Sequence, residues 1–111
     1  MTSTVSTHIL DTSAGRPAPG VPVRLAARTA DDADWRETGT SVTDADGRCK
    51  DLPPLPPGTT HARLVFETDT VFETGTAFFP EVAVAFAVAP DEHYHVPLLL
   101  NPFGYSVYRG S

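Results

Sequence analysis

Cysteine is nearly missing from this chain. Cys49 is the only one in 111 residues, so no disulfide can form within the chain, and a reducing compartment is permitted. Cations are scarce: 8 Lys and Arg against 14 Asp and Glu leave a net charge of −6. That balance argues against nucleic acid and anionic membrane as partners. No apolar run approaches the ~20 residues of a membrane helix. The opening Met1-Thr2-Ser3-Thr4-Val5 has neither the basic nor the apolar region of a signal peptide. The expected location is therefore cytoplasmic, with residues 1–111 forming a single domain. A chain of this length buries about 65% of its unfolded surface and needs no staple to make a core. There is no internal repeat.

What remains is a series of short alternating segments. Val5 to Leu10 places Val5, Thr7 and Ile9 on one face and Ser6, His8 and Leu10 on the other. Val21 to Arg28, Trp35 to Thr43, Arg48 to Lys50 and Ala62 to Glu67 read as further strands. Asp31-Asp32-Ala33-Asp34 reads as a solvated hairpin tip and Asp44-Ala45-Asp46-Gly47 as a turn. Pro53 to Gly58 holds four prolines and reads as a stiff surface connector. One short helix is expected after Asp69, over Thr70 to Glu73, ended by Gly75. Val82 to Val88 sets large residues on one face and alanines on the other. His93 to Leu100, a turn at Asn101-Pro102-Phe103-Gly104, and Tyr105 to Tyr108 complete a hairpin. His93 and His95 share a face by parity. Pro97 inside that strand needs an edge or an unpaired position. Seven or eight short strands with regular turns make an antiparallel β-sandwich.

The chemistry-bearing residues are few. Asp44-Ala45-Asp46-Gly47 does not fit a calcium loop, because the first and twelfth positions fall on Val42 and Pro53. His8, His93 and His95 lack an obvious fourth zinc ligand, and Cys49 lies on another strand. His61 follows the Pro-rich connector and reads as a solvated loop residue. No Gly-x-Ser-x-Gly elbow is present. His8 and His95 suit metal-free proton transfer, since neutral imidazole near pH 7 can take a proton from water and return it to a leaving group. Arg48 can grip a carbonyl-rich or anionic substrate with its planar fork, or can simply flank a turn in solvent.

Two resemblances follow from longer stretches. Gly15 to Leu25, Thr43 to Arg48 and Leu55-Pro56-Pro57-Gly58 are shared loosely by many prealbumin-like sandwich domains, which marks a fold and little else. Ser6-Thr7-His8-Ile9-Leu10-Asp11, Asp46-Gly47-Arg48, Phe78-Phe79-Pro80-Glu81-Val82, His93 to Leu100 and Tyr108-Arg109-Gly110-Ser111 resemble the 5-hydroxyisourate hydrolases, the transthyretin-related enzymes of urate degradation. The terminal Tyr-Arg-Gly-Ser is the most specific of these marks. Val107 departs from the family's usual threonine and faces away from Tyr108 by parity.

The resemblance implies an all-β, transthyretin-like (prealbumin-like) antiparallel β-sandwich of two four-stranded sheets with one short helix. It implies a homotetramer, a dimer of dimers. It also implies hydrolytic ring opening of 5-hydroxyisourate to 2-oxo-4-hydroxy-4-carboxy-5-ureidoimidazoline with no metal and no cofactor. His8, Arg48 and His95 match the family's catalytic positions. His8, Arg48, Tyr108 and Ser111 match its substrate-binding positions. One histidine would activate water and the other would orient it or protonate the leaving nitrogen, in either assignment. A transthyretin-like carrier of small ligands without catalysis is the alternative, and it would call for an apolar channel. An accessory sandwich domain of a secreted protein is a third reading, disfavoured by the absence of a leader-like segment or a second domain.

Overall fold

The computed structural model describes residues 2–31 and 34–110. Asp32 and Ala33 of the expected hairpin tip, and Ser111, lie outside the described residues. Among the described residues nine strands form: β1 (Thr4–Asp11), β2 (Arg16–Pro17), β3 (Pro22–Arg28), β4 (Arg36–Val42), β5 (Arg48–Cys49), β6 (His61–Phe66), β7 (Val82–Ala87), β8 (His93–Asn101) and β9 (Gly104–Val107). They make two layers. One sheet runs β2-β1-β8-β9, with β5 also on β1, and the other runs β4-β3-β6-β7.

The alternation explains the layering. Val5 and Ile9 of β1, Val96, Leu98 and Leu100 of β8, Val23 and Leu25 of β3, and Leu64 and Phe66 of β6 all turn inward into one core. Fully burying side chains of this size is worth about 1.5–3 kcal/mol each before entropy is charged against it. Thr7 is the polar member of the inner β1 face; its hydroxyl donates to the Val96 carbonyl at 2.6 Å, so burial leaves nothing unpaired.

Several details differ from the expectations. The first sheet has a fifth strand, because the two-residue β2 is too short to leave a periodic signal. β1 and β8 run parallel, from Thr4 opposite His93 to Asp11 opposite Leu100, within an otherwise antiparallel fold. The helix is a single 3-10 turn at Thr68–Thr70; Asp69 lies within it and no side chain caps it. His61 opens β6 rather than sitting in a loop, and its Nδ1 is 2.8 Å from the Thr60 hydroxyl. The proline-rich connector is not wholly on the surface. Leu55 is 1% exposed, anchored by its N–H donating to the Ser3 carbonyl. Proline stiffness is what lets a segment without a ladder drive one leucine into the core.

Candidate functional site

The outer face of the β1–β8 ladder carries the expected groups, and register explains how they meet. β1 and β8 put Ser6 opposite His95 and His8 opposite Pro97. β5 adds Arg48 directly opposite His8 on the other side of β1. One row across the sheet therefore reads Arg48, His8, Pro97. The next reads Ser6, His95, Gly110, since His95 and Gly110 pair through an isolated bridge.

Arg48 is delivered by the turn before it. The Asp44 carboxylate accepts the N–H groups of Asp46 at 2.9 Å and Arg48 at 3.0 Å. The Arg48 N–H, more than any other group, holds Asp44 below the ordinary carboxylate range. Gly47 sits at φ 76° and its carbonyl accepts the Ile9 N–H, clamping the turn to β1. A Cβ at Gly47 would come within 2.5 Å of the Ile9 carbonyl oxygen, so only glycine fits there. The Arg48 guanidinium has no ion-pair partner among the described residues.

Pro97 resolves its own tension. The Gly110 N–H donates to the His95 carbonyl at 2.7 Å, so odd positions of β8 turn their backbone toward β9. Pro97 therefore faces β9 with no N–H to give, and the regular ladder stops at Val107. Tyr108 and Arg109 run past the buried proline unpaired, and the register resumes at Gly110. Gly110 lies so close over the ring of His95 that a Cβ there would meet His95 Cδ2 at 2.7 Å.

A pocket of about 230 Å³ opens on this face, lined by Ser6, Arg48, Lys50, His93 and His95 among others. The His95 imidazole is pushed below its ordinary value, chiefly by burial and then by the positive field of Arg48, His8 and His93. The neutral form of the ring is therefore favoured there. Ser6 Oγ lies 2.8 Å from His95 Nδ1 and 2.9 Å from His93 Nε2, and Thr4 Oγ1 lies 2.7 Å from His93 Nδ1. His95 Nε2 makes no hydrogen bond among the described residues. Cys49 also borders the pocket, but it is 1% exposed and belongs to the core, with its thiol pushed up by burial.

Three expected residues, His8, Arg48 and His95, thus come together from three strands. Tyr108 is 55% exposed and is not among the residues lining this pocket; it borders a second cleft, shared by both sheets, with Tyr94, Phe86 and Arg109. Arg109 sits 4.6 Å from the Tyr94 ring centroid and 3.8 Å from a Glu92 carboxylate oxygen. Ser111 is outside the described residues. The sequence pattern alone points to no role in the site for Ser6, His93 or Lys50. Parity already put Ser6 with His8 and His93 with His95; the missing information was that β1 and β8 are neighbours. Among the described residues, no three His, Cys, Asp or Glu side chains converge as a metal-ligand set.

Known proteins match this chain over nearly its whole length. A 5-hydroxyisourate hydrolase of Salmonella typhimurium is 47% identical over 113 residues, covering 96% of this chain and 80% of that protein. The solved 5-hydroxyisourate hydrolase of Klebsiella pneumoniae superposes with a TM-score of 0.77 at 37% identity, covering 98% of this chain and 94% of that one. Sea bream transthyretin, solved in complex with thyroxine, gives 0.83 at 32% identity, covering 96% and 93%. The model of the HIUase/Transthyretin family matches residues 5–110, and the chain belongs to that family.

Proposed function

We propose that this protein hydrolyses 5-hydroxyisourate, opening a cyclic amide to give 2-oxo-4-hydroxy-4-carboxy-5-ureidoimidazoline. The observation that carries the reading is the convergence of His8, Arg48 and His95 on one sheet face, with Arg48 unpaired among the described residues. Its relatives named for this activity support it.

Arg48 holds the substrate's carbonyl oxygens in its planar fork and stabilises the oxyanion that develops on attack. His95, neutral and with Nε2 free, takes a proton from the attacking water and later returns it to the leaving nitrogen. His8, between Arg48 and Pro97, orients the water. Tyr108, exposed at the neighbouring cleft, and Ser111 match the family's substrate-binding positions and serve that role from the chain's last segment. The reaction uses these groups without metal. The carrier reading fares less well, since the pocket face is made of imidazole, hydroxyl and guanidinium groups rather than apolar side chains.

The working form is a cytoplasmic homotetramer, a dimer of dimers of single-domain chains. Exposed Phe78, Phe103 and Tyr105 and the free edges of β7 and β9 are the surfaces that support assembly. Generating 5-hydroxyisourate in situ from urate and following its decay tests the function. Acceleration that survives dialysis against a strong chelator is expected. Decay at the spontaneous rate would remove the proposal, and a loss restored by zinc would remove its metal-free mechanism.

A further inference from the structure

Ser6 bridges two imidazoles. Its hydroxyl has one proton and lies within hydrogen-bond distance of His95 Nδ1 and His93 Nε2 at once. A single hydroxyl proton cannot satisfy two unprotonated ring nitrogens, and two N–H groups would turn that proton out to solvent. The arrangement in which the three groups satisfy one another gives the neutral rings opposite roles at Ser6: one donates N–H and the other accepts. Thr4 completes the row, since its hydroxyl can accept from or donate to His93 Nδ1 at 2.7 Å.

We infer that Thr4, His93, Ser6 and His95 form a proton relay in which His93 is the positioning residue for His95 and the resting place of its proton. The inference rests on the hydrolytic reading above. In the starting state His95 Nδ1–H donates to Ser6 Oγ, Ser6 O–H donates to His93 Nε2, and His93 Nδ1–H donates to Thr4 Oγ1. His95 Nε2 is then a lone pair beside the pocket. When water attacks the substrate carbonyl, its proton goes to His95 Nε2. The Nδ1 proton passes to Ser6 Oγ, and the Ser6 proton passes to His93 Nε2. The oxygen–carbon bond has formed, and the positive charge rests on His93. As the carbon–nitrogen bond breaks, His95 Nε2–H protonates the leaving nitrogen and the other two protons run back. One water is consumed and every group returns to its starting state.

The environment favours this direction. His95 is half-buried, and a charge on it is opposed first by burial and then by Arg48 from β5, His8 from β1 and His93 on its own strand. His93 is exposed, flanked by the hydroxyls of Thr4 and Ser6, and its charge is open to water. The relay moves the charge from the penalised ring to the solvated one.

The test uses Ser6→Ala, Ser6→Thr and His93→Phe in the full chain. Ser6→Ala and His93→Phe should each lower kcat about 10- to 100-fold with little change in KM, and the double variant should lose no more than the worse single one. Ser6→Thr, which keeps the hydroxyl, should restore most of the rate. Rates in mixtures of light and heavy water should curve with isotope fraction in the wild type, reporting several protons in flight, and become linear in Ser6→Ala. Ring-nitrogen NMR supplies a readout that needs no turnover: the two rings should show complementary tautomers and linked titrations, both lost in Ser6→Ala. Unchanged tautomers and titrations in Ser6→Ala, or a wild-type kcat in that variant, would overturn the relay. A wild type that fails to speed 5-hydroxyisourate decay, with linked titrations intact, would instead overturn the hydrolytic reading and the relay's catalytic use, while leaving the coupled pair in place.

Discussion

The two sheets each present arginines on an outer face, and the two faces treat them differently. On the β3–β4–β6 sheet, Arg24 reaches Glu81 at 3.4 Å, and the guanidiniums of Arg28 and Arg63 sit 5.0 and 4.9 Å from the Trp35 ring centroid. Even Arg63, whose Nε is buried without a hydrogen-bond partner, has an aromatic face under its charge. On the β1–β8 sheet, Arg48 has no such company among the described residues, and its neighbours are histidines that repel it when protonated. The lesson is that an arginine's type says little about its task. A cation already matched by the fold is structural, and one left unmatched inside a pocket is held for something that arrives from solvent.

The sharpest way to break that comparison is to make the same substitution on both faces. Arg48→Lys keeps the charge but loses the bidentate fork, and turnover should fall about 100- to 1000-fold. Arg63→Lys should leave the rate within about twofold. Equal effects in the 5-hydroxyisourate decay assay would erase the distinction between matched and unmatched arginines.

A smaller effect is expected from Gly110→Ala. The added methyl would press on His95 Cδ2 and also meet Pro97 Cγ at 3.2 Å, displacing the ring from its bond to Ser6. A displacement on the order of 1 Å costs up to about 100-fold in rate. Because Gly110 is peripheral to the core, the melting temperature should move little. A large loss of stability with a normal rate per folded molecule would show that Gly110 serves packing alone.

The mildest test is of the electric field. Arg48 is the second cause, after burial, of the lowered His95 value. Arg48→Met removes a positive charge, so the protonated ring is less opposed and the His95 titration should move upward toward its ordinary value. In the wild type the acid limb of kcat/KM should correspondingly fall below pH 6.5, the ordinary imidazole value. NMR titration of His95 in both proteins checks the sign, and an unchanged or downward shift would contradict the field argument.

How much of this was legible in the sequence depends on the range of the cause. Alternation in Val5 to Leu10 and His93 to Leu100 gave strands whose inner and outer residues agree with the structure, because parity is set by the backbone of each strand alone. The turn before Arg48 was legible because Asp44 and Gly47 act within five residues. What local pattern could not carry was pairing. Nothing in Ser6 or His95 says that the strands holding them lie parallel, and without that register His93 remains a surface histidine and Gly110 a tail residue. The buried Leu55 was hidden for a related reason, since its proline neighbours signal surface while its own burial depends on distant strands. Pro97 shows the opposite case: its demand for an unpaired position was read correctly, and the broken ladder at Tyr108 met it.

The parallel pairing of β1 with β8 also sets when the site comes into being. Ser6 and His95 are 89 positions apart, so closing this ladder joins two of the most distant strands and ranks among the slow, entropically costly steps of folding. During synthesis, β1 must wait for β8 with its partner edge open, and Arg48 can dock beside His8 long before His95 exists. No partly made or partly folded chain can carry the whole constellation. Catalytic competence is in this sense a late checkpoint on the fold: a molecule that turns over substrate has already brought β1 and β8 together.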